Sequence, residues 1–272
     1  MSRMDNILVF EDTMDMCRDN TVLAQSIKDS IREQMVISES DPVGEPKLRY
    51  EDAAKVKVTR RRSFEAARFH QGRTAVHNFA SWRNPGGGVV NGSSAQEESL
   101  CRISTLYPCL TDYSAMKGFY YPHRASASQF YNDDCIYTPG VVVFKSDSEN
   151  PKLQQEERWF RVDVITCAAP NLRSGDGGRI WISDINLKDL HIKRLSRILD
   201  IAAANGVENI ILGAFGCGAF RNDPRIVAEA SAKVIRNYLH NFRVIEFAIY
   251  SSHGDDTNYR EFADAMERIS EK

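Results

Sequence analysis

The feature that most narrows how this chain can fold is an alternation in its C-terminal half. Apolar, β-branched runs at 209–215 and 244–250 are separated by a stretch with helical spacing, in which Ile226, Val227, Ala230, Val234, Tyr238 and Leu239 share one face. A strand, a helix and a second strand in that order form a crossover, and crossovers build parallel sheets. The helix has a start signal: Asn222 or Asp223 can cap it, with Pro224 at its first position. The preceding segment, 187–204, places Leu187, Leu190, Leu195, Ile198, Leu199 and Ala202 along one side and stops at Asn205-Gly206. Further runs at 74–80, 141–145 and 162–168 read as buried strands. The expected class is an α/β sandwich, in which ligands bind beyond the carboxyl ends of the strands.

Other segments read differently. Residues 11–37 carry apolar positions at helical spacing (Met16, Leu23, Ile27, Ile31, Met35) and 38–46 is polar with two prolines and a glycine, so an N-terminal helical extension over 1–47 is expected to pack on one domain spanning 1–272. Residues 112–135, rich in Tyr, Ser and His, show no sustained period and suggest short helices whose tyrosines wall a cleft. The net charge of −2 lacks the basic footprint of a protein that tracks a nucleic-acid backbone, so no direct DNA binding is expected. Six cysteines without a Cys-x-x-Cys pair point to reduced thiols, no metal and a cytoplasmic protein. Asp5, Glu11, Asp12, Asp15 and Asp19 interrupt the N-terminal region, which excludes a signal-peptide core, and no apolar run approaches a bilayer span.

The chemistry concentrates in loops that follow the strands. After 74–80 comes Gly86-Gly87-Gly88, then Gln96-Glu97-Glu98 at the start of a helix. Glycines let a ligand approach main-chain N–H groups closely, and carboxylates add proton transfer. Ser94-Ala95-Gln96-Glu97 also matches a capping box, which offers Glu97 a purely structural role. Glu98 lies outside that box. Adjacent helical residues point about 100° apart, so the two glutamates cannot flank one bond as a glycosidase pair usually does. After 209–213 comes Gly216-Cys217-Gly218-Ala219-Phe220, a loop ahead of a helix N-terminus, so that the N–H groups of the loop and the helix dipole favour a diphosphate there. The small Cys217 is read as a steric choice, since no His-Cys spacing argues for thiol catalysis. Arg60-Arg61-Arg62 reads as a solvated face, and His253 as a polar loop residue near the crevice.

The triple glycine, the seven-residue spacer and Gln96-Glu97-Glu98, together with the loop Gly-Ala-Phe-Gly-Cys-Gly-Ala-Phe ending at Phe220, resemble the microbial-type poly(ADP-ribose) glycohydrolases. The likeness extends to Glu11-Asp12-Thr13-Met14, Asn78-Phe79-Ala80-Ser81, Thr166-Cys167-Ala168-Ala169-Pro170-Asn171 and Asn258-Tyr259, while His77 and Val90-Asn91 depart from the usual pattern. The resemblance implies a macrodomain-like, three-layer α/β/α fold with a mixed, mostly parallel sheet. It implies hydrolysis of ribose-ribose O-glycosidic bonds without a cofactor, with Glu98 as general acid/base and Glu97 on ribose hydroxyls. Implied substrate contacts are Asn78, Ser81, Gly86, Gly87, Gly88, Val89, Gln96, Pro170, Gly216, Cys217, Gly218, Ala219, Phe220, which orients the terminal ribose, and Tyr250, beside the adenine. Implied partners are poly(ADP-ribose) or ADP-ribose and ADP-ribosylated proteins. Two other readings stand beside it: a hydrolase of mono-ADP-ribosylated proteins or small ADP-ribose derivatives, and a non-catalytic ADP-ribose reader. Retention of both glutamates counts against the reader, because an anionic pair does not help to bind an anion.

Overall fold

The computed structural model describes all residues except 45, 127, 129, 252, 253, 271 and 272, so His253 lies outside the described residues. In chain order the elements are α1 (Arg3–Asp19), α2 (Thr21–Glu33), β1 (Met35–Ile37), β2 (Lys55–Thr59), α3 (Ser63–Ala67), β3 (Thr74–Phe79), α4 (Gln96–Ile103), α5 (Leu106–Leu110), α6 (Tyr113–Ala115), α7 (Tyr121–Ala125), β4 (Cys135–Val143), β5 (Phe160–Cys167), α8 (Asp184–Ala204), β6 (Asn209–Leu212), α9 (Pro224–Ile235), β7 (Val244–Ala248) and α10 (Thr257–Ser270). The sheet has seven strands in the order β1-β4-β5-β3-β6-β7-β2. β2, β7, β6 and β3 pair in parallel, whereas β4 is antiparallel to both β1 and β5. The sheet is therefore mixed and mostly parallel, as expected. No helix among the described residues is long and apolar enough to cross a membrane.

The described residues form two compact units. One comprises Met1–Glu39, Asn78–Ala127 and Asp134–Ala168; the other comprises Ser40–His77, Ser128–Asp133 and Ala169–Lys272. In the second unit the helix signals act as read. Asp223 accepts the Arg225 and Ile226 N–H groups at the head of α9, Pro224 follows it, and Ile226, Val227, Ala230 and Val234 are buried. Such a cap contributes about 1 kcal/mol. α8 is capped by Ser183 and ends at Asn205, with Gly206 at φ 72°.

Two expectations are corrected here, and one strand, β2, lies outside them. The helix expected over 11–37 is two helices and a strand. Asn20 breaks it by accepting the Val22 and Leu23 N–H groups as the cap of α2, and residues 35–37 turn out to pair with β4, Met35 opposite Tyr137. Strand β2 has no continuous apolar run to announce it, because its Lys-Val-Lys-Val sequence is anchored by polar contacts. The fully buried Glu246 of β7 receives Lys57 at 3.0 Å, His70 at 2.7 Å and the Thr59 hydroxyl at 2.6 Å. Nor are Arg60, Arg61 and Arg62 a simple solvated face. Their guanidinium groups lie over the rings of Tyr259, Phe69 and Tyr250 at 3.9, 4.1 and 3.9 Å, and Arg60 also pairs with Asp256.

In the first unit, α1 is stitched to the glycine-rich segment. The buried Asn6 amide donates to the Gly92 carbonyl at 3.0 Å and Arg3 donates to the Asn91 carbonyl at 2.6 Å. The buried Lys145 ammonium donates to the Val9 carbonyl and Thr13 hydroxyl, and Thr13 in turn donates to the Arg102 carbonyl at the end of α4. Residues 112–135 contain the short helices α6 and α7, as read. Their tyrosines differ: Tyr120 is fully buried, while Tyr113 and Tyr121 are exposed.

Candidate active site

The end of β3 and the first turn of α4 are joined by side chains. Gln96 accepts the Phe79 N–H at 2.9 Å, Glu97 accepts the Ser81 N–H at 2.6 Å, and the Asn78 amide reaches Glu97 at 3.4 Å and the Thr166 hydroxyl at 3.2 Å. These contacts overturn the capping-box reading. The residue that precedes the helix is Ala95, which makes no side-chain cap, and the Glu97 carboxylate is turned back to β3. Two specific donors to a buried carboxylate outweigh one exposed cap, since a charge-assisted bond at a buried site is the stronger.

Between strand and helix, Gly86 and Gly87 adopt φ 69° and 61°. The Gly88 N–H donates to Glu98 at 2.9 Å. A Cβ on Gly87 would stand 2.6 Å from one Glu98 oxygen and 3.1 Å from a Glu97 oxygen. The bare Gly87 backbone is thus what lets both carboxylates crowd one point. Val89, read as a contact, is fully buried, with its N–H donating to the Gly86 carbonyl. Glu97 is 3% and Glu98 8% exposed. Burial pushes the Glu97 carboxyl well above the ordinary carboxylate range, and the Glu98 charge adds to this against the donors at Ser81, Asn78 and Gly86. A residue not singled out from sequence supports the same loop: buried Arg102 of α4 donates to the Ser93 carbonyl and to the Ser99 hydroxyl. Its i to i+3 placement from Ser99 was the one available signal.

The second glycine-rich loop lies in the second unit. Gly216 has φ 78°, and a Cβ there would meet the Asn222 amide at 2.6 Å and Ala169 at 2.7 Å. Asn222, read only as an alternative helix cap, is the centre of this loop. Its amide donates to the carbonyls of Pro170 at 2.8 Å, Gly216 at 3.0 Å and Phe220 at 3.3 Å, and its oxygen is 2.9 Å from Nε2 of His191. Burial holds His191 down to about 4, so the neutral ring donates its Nε2 proton. The donors at the head of α9 are taken by Asp223. What the loop offers an anion is its own backbone. Among the described residues the N–H groups of Gly218, Ala219 and Phe220 donate to no protein acceptor, and Gly218 and Ala219 are exposed. The Phe220 ring stands 6.4 Å from that of Tyr131, whose hydroxyl accepts from Asn171. Burial pushes the Cys217 thiol up, which leaves it uncharged and unsuited to nucleophilic attack. Tyr250 lies two residues past β7, about 40% exposed, with Arg62 over one face. His77, the unusual strand residue, packs edge-on against Phe215 at 4.3 Å.

The sequence of residues 7–146 matches the catalytic domain of microbial-type poly(ADP-ribose) glycohydrolases. Among solved structures, the poly(ADP-ribose) glycohydrolase of Thermomonospora curvata is 27% identical, with 96% of this chain and 99% of that one aligned at a TM-score of 0.85. The same enzyme bound to the inhibitor ADP-HPD is 26% identical over the same shares, with a TM-score of 0.80. The Deinococcus radiodurans enzyme in complex with ADP-ribose is 30% identical over 89% of this chain and 97% of that one, with a TM-score of 0.79. No curated protein matches significantly. A profile covers more than half of the chain and these structures agree with it over most of its length: the chain belongs to the family of microbial-type poly(ADP-ribose) glycohydrolases.

Proposed function

We propose that this protein is a poly(ADP-ribose) glycohydrolase that releases ADP-ribose by hydrolysing ribose-ribose O-glycosidic bonds, with Glu98 as general acid and base. The observation that carries the reading is the Glu98 carboxylate held 2.9 Å from the Gly88 N–H, against the left-handed backbone of Gly87. A sugar resting on Gly86, Gly87 and Gly88 meets this carboxyl group with no side chain between them. Glu98 gives its proton to the departing ribose oxygen as the glycosidic bond breaks, and then takes a proton from the water that attacks the anomeric carbon. No covalent nucleophile is needed.

Glu97 has a different task. Held by Ser81 and Asn78, it is oriented to bind ribose hydroxyls, and its raised proton affinity lowers the charge of the pair. That reduces repulsion toward a ligand that carries two phosphates. Asn78, Ser81 and Gln96 fix Glu97 and the loop, while Gly216, Cys217, Gly218, Ala219 and Phe220 form the diphosphate loop that Pro170 buttresses through Asn222. Tyr250 is assigned to the adenine side. ADP-ribosylated proteins in the cytoplasm are the natural carriers of such a substrate.

Glu98→Gln tests the assignment. It keeps the side-chain shape and the Gly88 contact but cannot cycle a proton, so release of ADP-ribose from polymer should fall by about 100-fold or more, the usual weight of general acid–base catalysis. Binding of ADP-ribose, followed by calorimetry, should persist. A variant with near-native turnover defeats the role of Glu98. Release from mono-ADP-ribosylated protein but not from polymer would favour the narrower hydrolase.

A further inference from the structure

Between β5 and α8 the chain makes an excursion that the reading above leaves without a role. Leu172 is fully buried with Leu187 and Ile226, and its N–H donates to the Phe220 carbonyl at 3.0 Å. From this anchor residues 173–179 run out and back as a tight hairpin. Arg173 bridges Arg179, the Ser174 N–H meets the Gly178 carbonyl at 3.1 Å, and the Ile180 N–H returns to the Leu172 carbonyl at 2.7 Å. Arg221, in the left-handed region at φ 58°, closes the base: its guanidinium donates to the Gly178 carbonyl and its own carbonyl accepts from Arg179, both at 3.2 Å. The arm is thus a built structure pinned to the corner that follows Phe220.

On it stands Trp181, 83% exposed, the most exposed large apolar side chain among the described residues, with Ile185 close behind at 73% on the first turn of α8. Among the described residues none of Arg173, Arg179 and Arg221 forms a salt bridge with a carboxylate, and all three are exposed. The one carboxylate of the hairpin, Asp176, is engaged by the Ser174 hydroxyl and the Gly178 N–H. An exposed indole two residues after Arg179, on an arm that carries Arg173 and is closed by Arg221 against the single carboxylate of Asp176, gives this arm a positive balance on a chain whose net charge is −2.

We propose that this arm is a second contact site for the polymer, on which Trp181 stacks an adenine of an ADP-ribose unit beyond the one held at 216–220, while the arginines meet that unit's diphosphate. The proposal rests on the glycohydrolase reading. Its chemistry is that of single-stranded nucleic-acid binding: every adenine presents a π-face to an aromatic side chain, and every diphosphate presents charge to guanidinium groups. Free ADP-ribose, with one adenine already placed near Tyr250, has nothing left for Trp181.

Trp181 can be followed directly. Trp82 is buried and Trp159 half-buried, so the exposed Trp181 dominates solvent-sensitive fluorescence. In the Glu98→Gln protein, oligo(ADP-ribose) should quench this signal at concentrations where ADP-ribose monomer does not, and Trp181→Ala should remove the quench. In the active enzyme, Trp181→Ala should raise KM for long polymer by roughly 5- to 100-fold, the range expected for loss of one base-aromatic stack, with Trp181→Phe between the two. Inhibition by free ADP-ribose should not move. Unchanged KM for polymer overturns the proposal, as does quenching by monomer equal to that by oligomer, or quenching only by a mono-ADP-ribosylated protein. If the unsubstituted protein releases no ADP-ribose from polymer, the glycohydrolase reading fails instead, a result that the fluorescence titration keeps separate.

Discussion

Replacing Asn222 tests whether the second glycine-rich loop is held by one buried amide. The side chain is 3% exposed and serves three carbonyls with two amide protons, while its oxygen takes the His191 proton. Asn222→Ala removes about three net hydrogen bonds, each contributing about 1 kcal/mol, and strands a buried His191 donor that costs about 1–3 kcal/mol. Relaxation and water entry recover part of this, so a loss of about 3 kcal/mol is expected, which for a chain of this length lowers Tm by about 6–12 °C. Asn222→Asp is the sharper variant. It keeps the shape but sets a buried carboxylate against three carbonyl oxygens, so it should be worse than alanine at pH 7 and recover toward acid pH as the carboxyl gains a proton. Thermal melts from pH 4 to 8 and calorimetric titration with ADP-ribose follow both effects, and affinity should fall at least tenfold in either variant. If Asn222→Ala melts within 2 °C of the parent and binds ADP-ribose within twofold, the amide does not hold the loop and the reasoning is wrong.

Three further substitutions probe the first loop. Gly87→Ala must place a non-glycine residue at φ 61° with its Cβ 2.6 Å from Glu98, so glycohydrolase activity should drop by about 100-fold, whereas backbone strain alone costs only about 1 kcal/mol of stability by melting. Glu97→Gln should be more stable than the parent at neutral pH. Its folded carboxyl holds its proton well above the ordinary carboxylate range, so the penalty for ionising it is absent at acid pH and grows as pH rises. The Tm difference should therefore shrink on acidification; a difference that widens toward acid has the wrong sign. Asn6→Ala removes the donor to the Gly92 carbonyl, and kcat should fall several-fold beside a stability loss of about 1 kcal/mol, measured by steady-state kinetics and denaturant titration.

The sheet and its helices were legible where one physical rule acts alone. Residues 209–212 and 244–248 are almost wholly buried and, Asn209 and Glu246 apart, apolar, and Asp223-Pro224 marks a helix start through its own chemistry. Reading failed where a distant partner decides. Lys55–Thr59 is a strand because Glu246 on the neighbouring strand receives its polar side chains, a contact 187 residues away in sequence for Thr59. Asn20 alone, in an extended conformation, interrupts an otherwise helical pattern, a one-residue break that periodicity cannot sense. In the candidate site, the glycines and glutamates were visible as a local motif. Asn222 was not, because its three acceptors come from two separate loops and a single asparagine ahead of a proline looks like any cap. Glu97 was half-read: the capping box is a local pattern, and Ser81 won the carboxylate from outside it.

The grip of α1 on the glycine-rich segment is made through main-chain carbonyls, at Asn91 and Gly92, and it leaves Gly92 no room to vary, because a Cβ at its φ of 74° would stand 2.2 Å from the Arg3 carbonyl oxygen. Between the triple glycine and the glutamates only the exposed side chains are free to change. Val90 is 48% exposed, and substitutions there should be nearly neutral so long as the backbone reaches Arg3 and Asn6 at the same point. Length is what the grip reads. Adding or removing one residue between Gly88 and Gln96 would shift both carbonyls out of reach, and such changes should abolish activity where replacement of an exposed side chain such as Val90 does not.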